Sequence, residues 1–209
     1  MARKKTLVGV ITGDIINSRN AQPRKWLPVL KRALARQGRS PAAWEIYRGD
    51  SFQVEVKDPS DALLAAIWVK ANLKRVKGLD ARLAVGIGVK EFTASKITQS
   101  NGEAFIYSGE KLESLKKEKR NIAVKSPWVD FDREMNVSLN LASIAIDNWS
   151  TGAADLITIL IDKPDITQVK LAKKLKITQS AVSGRQQRSH YNEIRDLEAL
   201  FRERVQRLI

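Results

Sequence analysis

Residues 168–188, QVKLAKKLKITQSAVSGRQQR, decide how the C-terminal part of this chain folds. Their apolar positions have helical spacing in the first half, and the second half returns one apolar residue to that face. Ile177 fills the turn between the halves, and Ala172 is small enough for two helices to cross closely. Lys176 stands at the turn position where glycine is usual. The stretch therefore predicts two short helices joined by a tight turn, with a shared face made of Leu171, Ala172, Leu175 and Val182.

A helix pair of this kind is typical of a DNA-binding helix-turn-helix. When Val182 is placed inward on a helical wheel, hydroxyl, glutamine and arginine side chains point outward. Hydroxyls and glutamines read base edges, and arginines neutralise phosphates. Two alternatives stay open, an ordinary amphipathic helix pair and a helix-turn-helix that contacts protein. The predicted DNA-contacting residues are Thr178, Gln179, Ser180, Ser183, Gly184, Gln187, Arg188 and Tyr191.

The charge of the chain also favours a polyanionic partner such as double-stranded DNA. The 209 residues carry a net charge of +14, and the isoelectric point is about 10.1. Residues 1–151 contain 26 basic and 16 acidic residues, and residues 152–209 contain 11 and 7. The excess is therefore spread over the chain. Either the larger part also faces a polyanion, or it only has a solvated basic surface.

Several classes of site are excluded by composition. The chain has no cysteine and a single histidine, so we expect no disulfide, no zinc site built on thiolates or imidazoles, and no haem. No apolar run approaches the roughly 18 residues of a membrane span. Asp14 ends the first apolar stretch too early for a signal peptide. We therefore expect a cytoplasmic protein with no membrane partner.

Hydrophobic periodicity organises the chain into two domains and a connector. Residues 1–128 alternate strands and helices in the order strand, helix, hairpin, helix, strand, helix, strand, which predicts an α+β, ferredoxin-like domain with an antiparallel sheet. A connecting helix is predicted within 129–149, and an all-α helix-turn-helix domain within 150–209. The predicted strands are 6–12, 44–47, 52–56, 83–89 and 121–125, and the predicted helices of the first domain are 23–37, 60–76 and 102–117.

A last apolar stripe follows the predicted helix-turn-helix to the C-terminus. It either packs back on the small domain or forms the seam of a homodimer. At this length we favour packing on the small domain and leave the homodimer open. The stripe consists of Ile194, Leu197, Phe201, Val205 and Leu208.

Two aspartates follow glycines at matched turns of the first domain. Asp14 leaves the first strand, and Asp50 lies at the tip of the hairpin, so both carboxylates can reach one edge of the predicted sheet. Two carboxylates there would suit Mg²⁺ or Mn²⁺ holding nucleotide phosphates. The alternative is that aspartate after glycine is only turn chemistry. The candidate nucleotide-binding residues are Gly13, Ser18, Arg19, Arg48, Gly49 and Ser51, with the two glycines letting the backbone approach phosphate.

The stretches VGVITGDIINSR, YRGDSFQVEV, RLAVGIGV and SNGEAFIYSGEKLESL resemble a diverged class III nucleotide cyclase, a superfamily similar to diguanylate (GGDEF) cyclases and polymerase palms. The resemblance covers roughly residues 6–126. It implies that Asp14 and Asp50 bind metal ions with help from the carbonyl of Ile15. Cyclases place an asparagine and an arginine where this chain has Ile106 and Glu110. A carboxylate there would repel phosphate in the transition state, which argues against cyclase activity.

The whole layout resembles the SatD-type family of bacterial proteins. The residues that carry this resemblance are GDIINSR, WEIYRGDSFQ, SNGEAF and the terminal helix-turn-helix. From Trp149 onward the chain is also similar to the three-helix DNA-binding unit of sigma factors and response regulators. Both resemblances imply architecture more than activity.

Three hypotheses for function follow from these residues. The first, which we favour, is a bacterial DNA-binding, transcription-regulating protein whose larger domain senses a nucleotide through a divalent metal. The second is a metal-dependent nucleotidyl-transfer enzyme, in which Arg19 or Arg48 contacts phosphate. The third is a module that only binds DNA, with Asp14 and Asp50 as turn residues.

Overall fold

The computed structural model describes residues 6–209, and their elements fall into an N-terminal part with strands and a C-terminal part built from helices. The strands are β1 (Thr6–Ile16), β2 (Trp44–Tyr47), β3 (Ser51–Val56), β4 (Asp80–Phe92), β5 (Asn101–Gly102) and β6 (Ile122–Lys125). The helices are α1 (Pro23–Leu34), α2 (Ala62–Lys74), α3 (Glu103–Glu118), α4 (Val129–Ile146), α5 (Thr151–Asp162), α6 (Gln168–Leu175), α7 (Gln179–Arg188) and α8 (Tyr191–Leu208).

The strands form one sheet in the order β2-β3-β1-β4-β5, and all of these neighbours are antiparallel. The mixed α+β class predicted from the sequence is confirmed. An entirely antiparallel sheet is wrong at one point, because β6 pairs in parallel with residues 83–86 of β4. The helix α3 lies between β4 and β6 in the chain and supplies the crossover that a parallel pair requires.

Strand β1 is central and longer than predicted. It pairs with β4 at every position from Thr6 to Ile16 and with β3 from Gly9 to Asp14. Its partner β4 likewise extends beyond the predicted 83–89. The start of α2 also differs from the predicted residue 60: a 3₁₀ turn precedes the helix, and Asp58 caps this turn by accepting a hydrogen bond from the amide of Ser60. The sequence therefore predicted the positions of these elements correctly, but not the residues at which they begin and end.

Helices cover both faces of the sheet. Alternate residues of β1 and β4, such as Ile11 and Val85, join the core formed with α1 and α2. The opposite face is covered by α3, which lies directly on the backbone of β4. A Cβ at Gly86 would stand 2.1 Å from the carbonyl oxygen of Ala104, so only glycine permits this approach.

One apolar core continues from the sheet into the C-terminal helices. It contains residues of α1, α2, α4, α5, α6, α7 and α8 together with one face of the sheet. Helix α2 is buried along most of its length because β4, α1 and α5 all pack against it. The predicted connector is part of this core, since α4 buries Phe131, Met135 and Leu139. The two predicted domains are therefore packed together along a continuous interior.

The C-terminal stripe packs within the chain, but mainly on the N-terminal part and the connector and not, as we favoured, on the small domain. Phe201 and Val205 are fully buried, and the ring of Phe201 lies 5.5 Å from that of Phe131 in α4. Leu208 is 40% exposed. The stripe contacts α2, α4, α7 and the turn before α2, so most of its partners belong to the N-terminal part and the connector. The homodimer stays a prediction, although most of this stripe is already used inside the protomer.

A buried ion cluster reinforces the junction between the two parts. Lys70 of α2 is completely buried, and its Nζ lies 2.7 Å from Asp80 at the start of β4 and 2.9 Å from Asp147 after α4. Lys74 forms a second ion pair with Asp80, at 3.0 Å. A buried cation needs such partners, because removing it from water is otherwise costly.

Candidate functional site

Helices α6 and α7 are joined by residues 176–178, and their ends are determined locally. Thr167 caps α6, and Thr178 caps α7; each hydroxyl accepts a hydrogen bond from the amide three residues further on. Lys176 ends α6 in the left-handed conformation, with φ of 54°. Ile177 is half-buried and packs against the core. The turn from α6 into α7 is thus made by one left-handed residue and the Thr178 cap, while Thr167 fixes the start of α6.

The inward face of the pair is small and apolar. Leu171, Ala172 and Val182 are buried, and Leu175 is half-buried. Gly184 is half-buried, and the guanidinium of Arg188 lies over it, 3.1 Å from the position of a Cβ. The other predicted DNA-contacting side chains of this pair are exposed: Thr178, Gln179, Ser180, Ser183, Gln187 and Arg188.

Tyr191 does not belong to this surface. Helix α7 ends at Arg188, and His190 adopts a left-handed conformation with φ of 52°. Tyr191 is therefore the first residue of α8, half-buried against the core, and burial raises the pKa of its hydroxyl. The prediction that Tyr191 continues the exposed face of α7 is wrong, because the break at His190 redirects the chain.

The charges of the α6–α7 pair are all positive and all unpaired. Residues 168–188 contain six basic residues and no acidic one. None of these six side chains forms an ion pair with any residue between Thr6 and Ile209. The six are Lys170, Lys173, Lys174, Lys176, Arg185 and Arg188. Their charge is therefore available to an external anion.

Two further contacts orient the pair. The side-chain amide of Gln179 donates to the Oε1 of Gln168 at 3.4 Å, which links the first residues of α7 and α6. The indole of Trp149 donates to the carbonyl oxygen of Ser189 at 2.9 Å and fastens the end of α7 to the start of α5. These contacts link the first turn of α7 to α6 and the end of α7 to the start of α5.

A second group of predicted site residues lies at the end of β1. The register places Asp14 opposite Ser51, and the amide of Ile15 donates to the carbonyl oxygen of Asp50 at 3.2 Å. The backbone thus brings the two aspartates to the same end of the sheet. The side chain of Ile15 itself is buried.

The two carboxylates nevertheless have different partners. Both oxygens of Asp14 accept hydrogen bonds from Arg82 at 3.1 Å, and Lys116 of α3 approaches to 3.8 Å. Asp50 instead accepts a hydrogen bond from the hydroxyl of Ser18 at 2.5 Å. Asp14 is therefore neutralised by β4 and α3, whereas Asp50 is held by the segment that follows β1.

This arrangement does not fit a divalent metal ion. Two protein cations occupy the surroundings of Asp14, and they would repel Mg²⁺ or Mn²⁺. No group of three or more His, Cys, Asp or Glu side chains within residues 6–209 is placed to hold a metal ion. A metal shared by Asp14 and Asp50 would require Arg82 and Lys116 to move away first.

The remaining predicted residues of this site are divided between surface and interior. Gly13 faces the interior, because a Cβ there would lie 2.6 Å from the ring of Phe52; its prediction as a phosphate-approaching glycine is wrong. Arg19, Arg48 and Gly49 are exposed, and Ser51 is partly exposed. Gly49 has φ of 88° and open space around it.

The two positions that replace cyclase residues both lie on the surface of α3. Ile106 is 51% exposed. Glu110 forms an ion pair with Lys125 of β6 at 2.5 Å. Glu110 is therefore ion-paired with a residue of β6, whereas Asp14 is ion-paired with Arg82 of β4 and Lys116 of α3.

Sequence reasoning missed the side chains that surround Asp14. Arg82 and Lys116 form ion pairs with Asp14, and the charge of Asp14 affects the pKa of Tyr47. Burial raises the pKa of Tyr47, Arg48 and Lys116 lower it, and Asp14 and Glu113 raise it further. The hydrogen bond from Lys116 lowers the pKa of Glu113. Only the strand register, in which Asp14 stands opposite Arg82, could have indicated this cluster.

No protein-family model matches the chain, and no curated protein matches it either. Within residues 6–209, no helix is both long enough and apolar enough to cross a membrane.

Proposed function

We propose that this chain is a DNA-binding protein of the transcription-regulating kind, in which α5, α6 and α7 act as a helix-turn-helix. The observation that carries the proposal is the exposed polar face of α7, on a helix pair whose six basic side chains have no ionic partner within residues 6–209. Unpaired cations are the groups that bind phosphate and release its counterions. The exposed hydroxyl and amide side chains of α7 also suit base edges, which favours DNA over an acidic protein surface as the partner.

In this proposal α7 enters the major groove of the duplex with its first residues forward. Gln179, held by Gln168, is placed to read a base edge, for which adenine is the usual glutamine partner. Ser180, Ser183 and Gln187 are further candidates for base or phosphate contacts. Arg188 and Lys170 contact the phosphate backbone and set the orientation of the protein on DNA.

The role of the sheet is a separate prediction, which concerns nucleotide binding at Asp14 and Asp50. The strand order β2-β3-β1-β4 supports a ferredoxin-like, cyclase-type assignment. Nucleotide sensing through a metal at Asp14 and Asp50 requires that Arg82 and Lys116 release Asp14, so it would involve rearrangement. The enzyme alternative would need the same release of Asp14, and it has a carboxylate, Glu110 paired with Lys125, where cyclases have an arginine.

The DNA-binding proposal is tested with Arg188→Ala and a random-sequence duplex, because phosphate contacts do not depend on sequence. A charge-assisted hydrogen bond contributes about 1.5–3 kcal/mol, so we expect the Kd to rise about tenfold or more. The slope of log affinity against log salt should fall by about 0.9. Fluorescence anisotropy over a salt series measures both quantities.

The matched control for this experiment is Arg24→Ala. Arg24 is an exposed arginine near the start of α1 that forms no ion pair within residues 6–209. The control should leave both the affinity and the salt slope unchanged. Equal losses in the two variants would show that DNA responds only to total charge, and no binding by the parent would end the proposal.

A further inference from the structure

A large cleft lies where the two parts of the described chain meet. Its volume is about 790 Å³, within the range of roughly 300–1,000 Å³ found for small-molecule sites. Residues of α1, the end of α2, α5 and the end of α6 line it. The cleft shares no residue with the Asp14 site or with the exposed polar face of α7. It therefore requires a separate explanation.

Positive charge dominates the walls of this cleft. Five basic side chains and only two acidic ones line it. Arg75 is paired with Asp155 at 2.6 Å, while Arg36 approaches Asp162 only to 3.9 Å. The other three cations have no ionic partner between Thr6 and Ile209: Arg32, Lys174 and Lys176. Three converging cations without a counter-anion favour a ligand with more than one negative charge.

The cleft also offers a flat aromatic surface. The indole of Trp68 is half-buried, and its Nε1 donates to the carbonyl oxygen of Ala33 at 3.2 Å, which fixes the plane of the ring. The guanidinium of Arg36 lies over that ring, 4.6 Å from its centre. Because the ion pair of Arg36 is long and exposed, little holds it there. A planar ring could stack on Arg36 or take its place on Trp68.

We propose that this cleft is a nucleotide-binding site, with the base stacked at Trp68 and the phosphates held by Arg32, Lys174 and Lys176. Protein cations alone neutralise the phosphates here, so binding needs no divalent metal. A nucleoside triphosphate is favoured over a DNA duplex because the cleft is concave and of small-molecule size, and because base stacking requires an unpaired base. Lys174 and Lys176 belong to the α6–α7 pair, so the ligand would contact both parts of the chain.

The test is calorimetry on the full chain, without DNA and with EDTA present, using ATP, GTP, CTP and UTP as probes. At least one triphosphate should bind. Arg32→Glu should weaken that binding by at least tenfold, because it reverses a charge in the wall. Lys31→Glu is the matched control: it reverses the charge of the neighbouring exposed residue, which does not line the cleft, and it should leave the affinity within twofold.

Two further arms separate the nucleotide from related ligands. Inorganic triphosphate should bind more weakly than the best nucleotide, because it cannot stack on Trp68. A single-stranded oligonucleotide should not compete at equal phosphate concentration. The proposal is overturned if no triphosphate binds, if Arg32→Glu and Lys31→Glu behave alike, or if either of these two probes matches the nucleotide. None of these outcomes depends on Arg188 or on DNA binding, so the two proposals fail separately.

Discussion

The α6–α7 pair and the cluster around Asp14 both contain several basic side chains, but they use that charge in opposite ways. In the helix pair, six cations have no acidic partner within residues 6–209, and five of them are exposed. Around Asp14, Arg82 and Lys116 are already paired with the carboxylate that a metal would need. The helix pair can bind a polyanion without any change in its ion pairs. The cluster around Asp14 can bind a metal ion only after its ion pairs with Arg82 and Lys116 are broken.

This difference shows that the availability of a charge matters more than its presence. Both regions carry residue types that suit phosphate or metal binding, and composition alone does not separate them. An ion pair in the folded chain removes a cation from the set that an incoming anion can use, unless the anion replaces the original partner. The comparison therefore depends on the contacts, which three experiments test.

The largest effect is expected from Phe201→Ala, which tests whether the two regions belong to one folded unit. Phe201 is fully buried in the shared core beside Phe131. Its truncation should lower the free energy of unfolding by about 3–5 kcal/mol. Hydrogen exchange should show faster amide exchange in β1 as well as in α7, since both rest on the same core.

The control is Leu200→Ala, at a neighbouring position that is 38% exposed. It should change the stability by much less than Phe201→Ala. If Phe201→Ala loosens α7 but leaves the protection of β1 unchanged, the two regions are independent units. The two sets of charges would then belong to two independently folding domains of the chain.

The shared core marks the limit of what the sequence could predict. Local patterns placed most helices and strands, because apolar periodicity and caps such as Thr178 act within a few residues. They also placed the α6–α7 turn, where Lys176 adopts the left-handed conformation in place of glycine. The packing of α5 and α8 on α2 depends on contacts between residues far apart in the chain, so two separate domains were expected.

The same limit explains the candidate sites. The exposed face of α7 could be predicted because a single helix determines it. The prediction was wrong for Tyr191, because this residue lies beyond the break at His190. The position of Asp14 near Asp50 followed from the hairpin. Arg82 and Lys116 could not be foreseen as its partners, since they lie 68 and 102 positions away and reach it through the register of β4 and the placement of α3 on the sheet.

A smaller effect is expected when the cations around Asp14 are removed. The double variant Arg82→Gln, Lys116→Gln should bind Mn²⁺ about tenfold more tightly than the parent, as measured by calorimetry. The reason is that a cation about 4 Å from a metal site opposes the metal by up to about 4 kcal/mol, and partial solvent exposure reduces this. Adding Asp14→Asn should remove the gain. Equal Mn²⁺ affinity in parent and double variant would mean that the pairing does not block the site.

The smallest effect concerns Tyr47, which reports on the charge of Asp14 without any ligand. Burial, supported by Asp14 and Glu113, raises its pKa above the ordinary value of 10.0. The protonated phenol is thus favoured by the fold, and the stability it contributes is fully present below pH 10.0 and lost as the pH rises through the folded pKa. The absorbance of tyrosinate, taken as the difference between the parent and Tyr47→Phe, measures this titration.

The same titration separates the two aspartates. Asp14→Asn should lower the pKa of Tyr47, because it removes a negative charge that raises this pKa. Asp50→Asn should leave the titration unchanged, because Asp50 is held by Ser18 and does not contribute to the pKa of Tyr47. Equal shifts in the two variants would mean that both carboxylates share one environment. In that case the sheet site would offer a divalent ion two converging ligands, and its contrast with the α6–α7 pair would disappear.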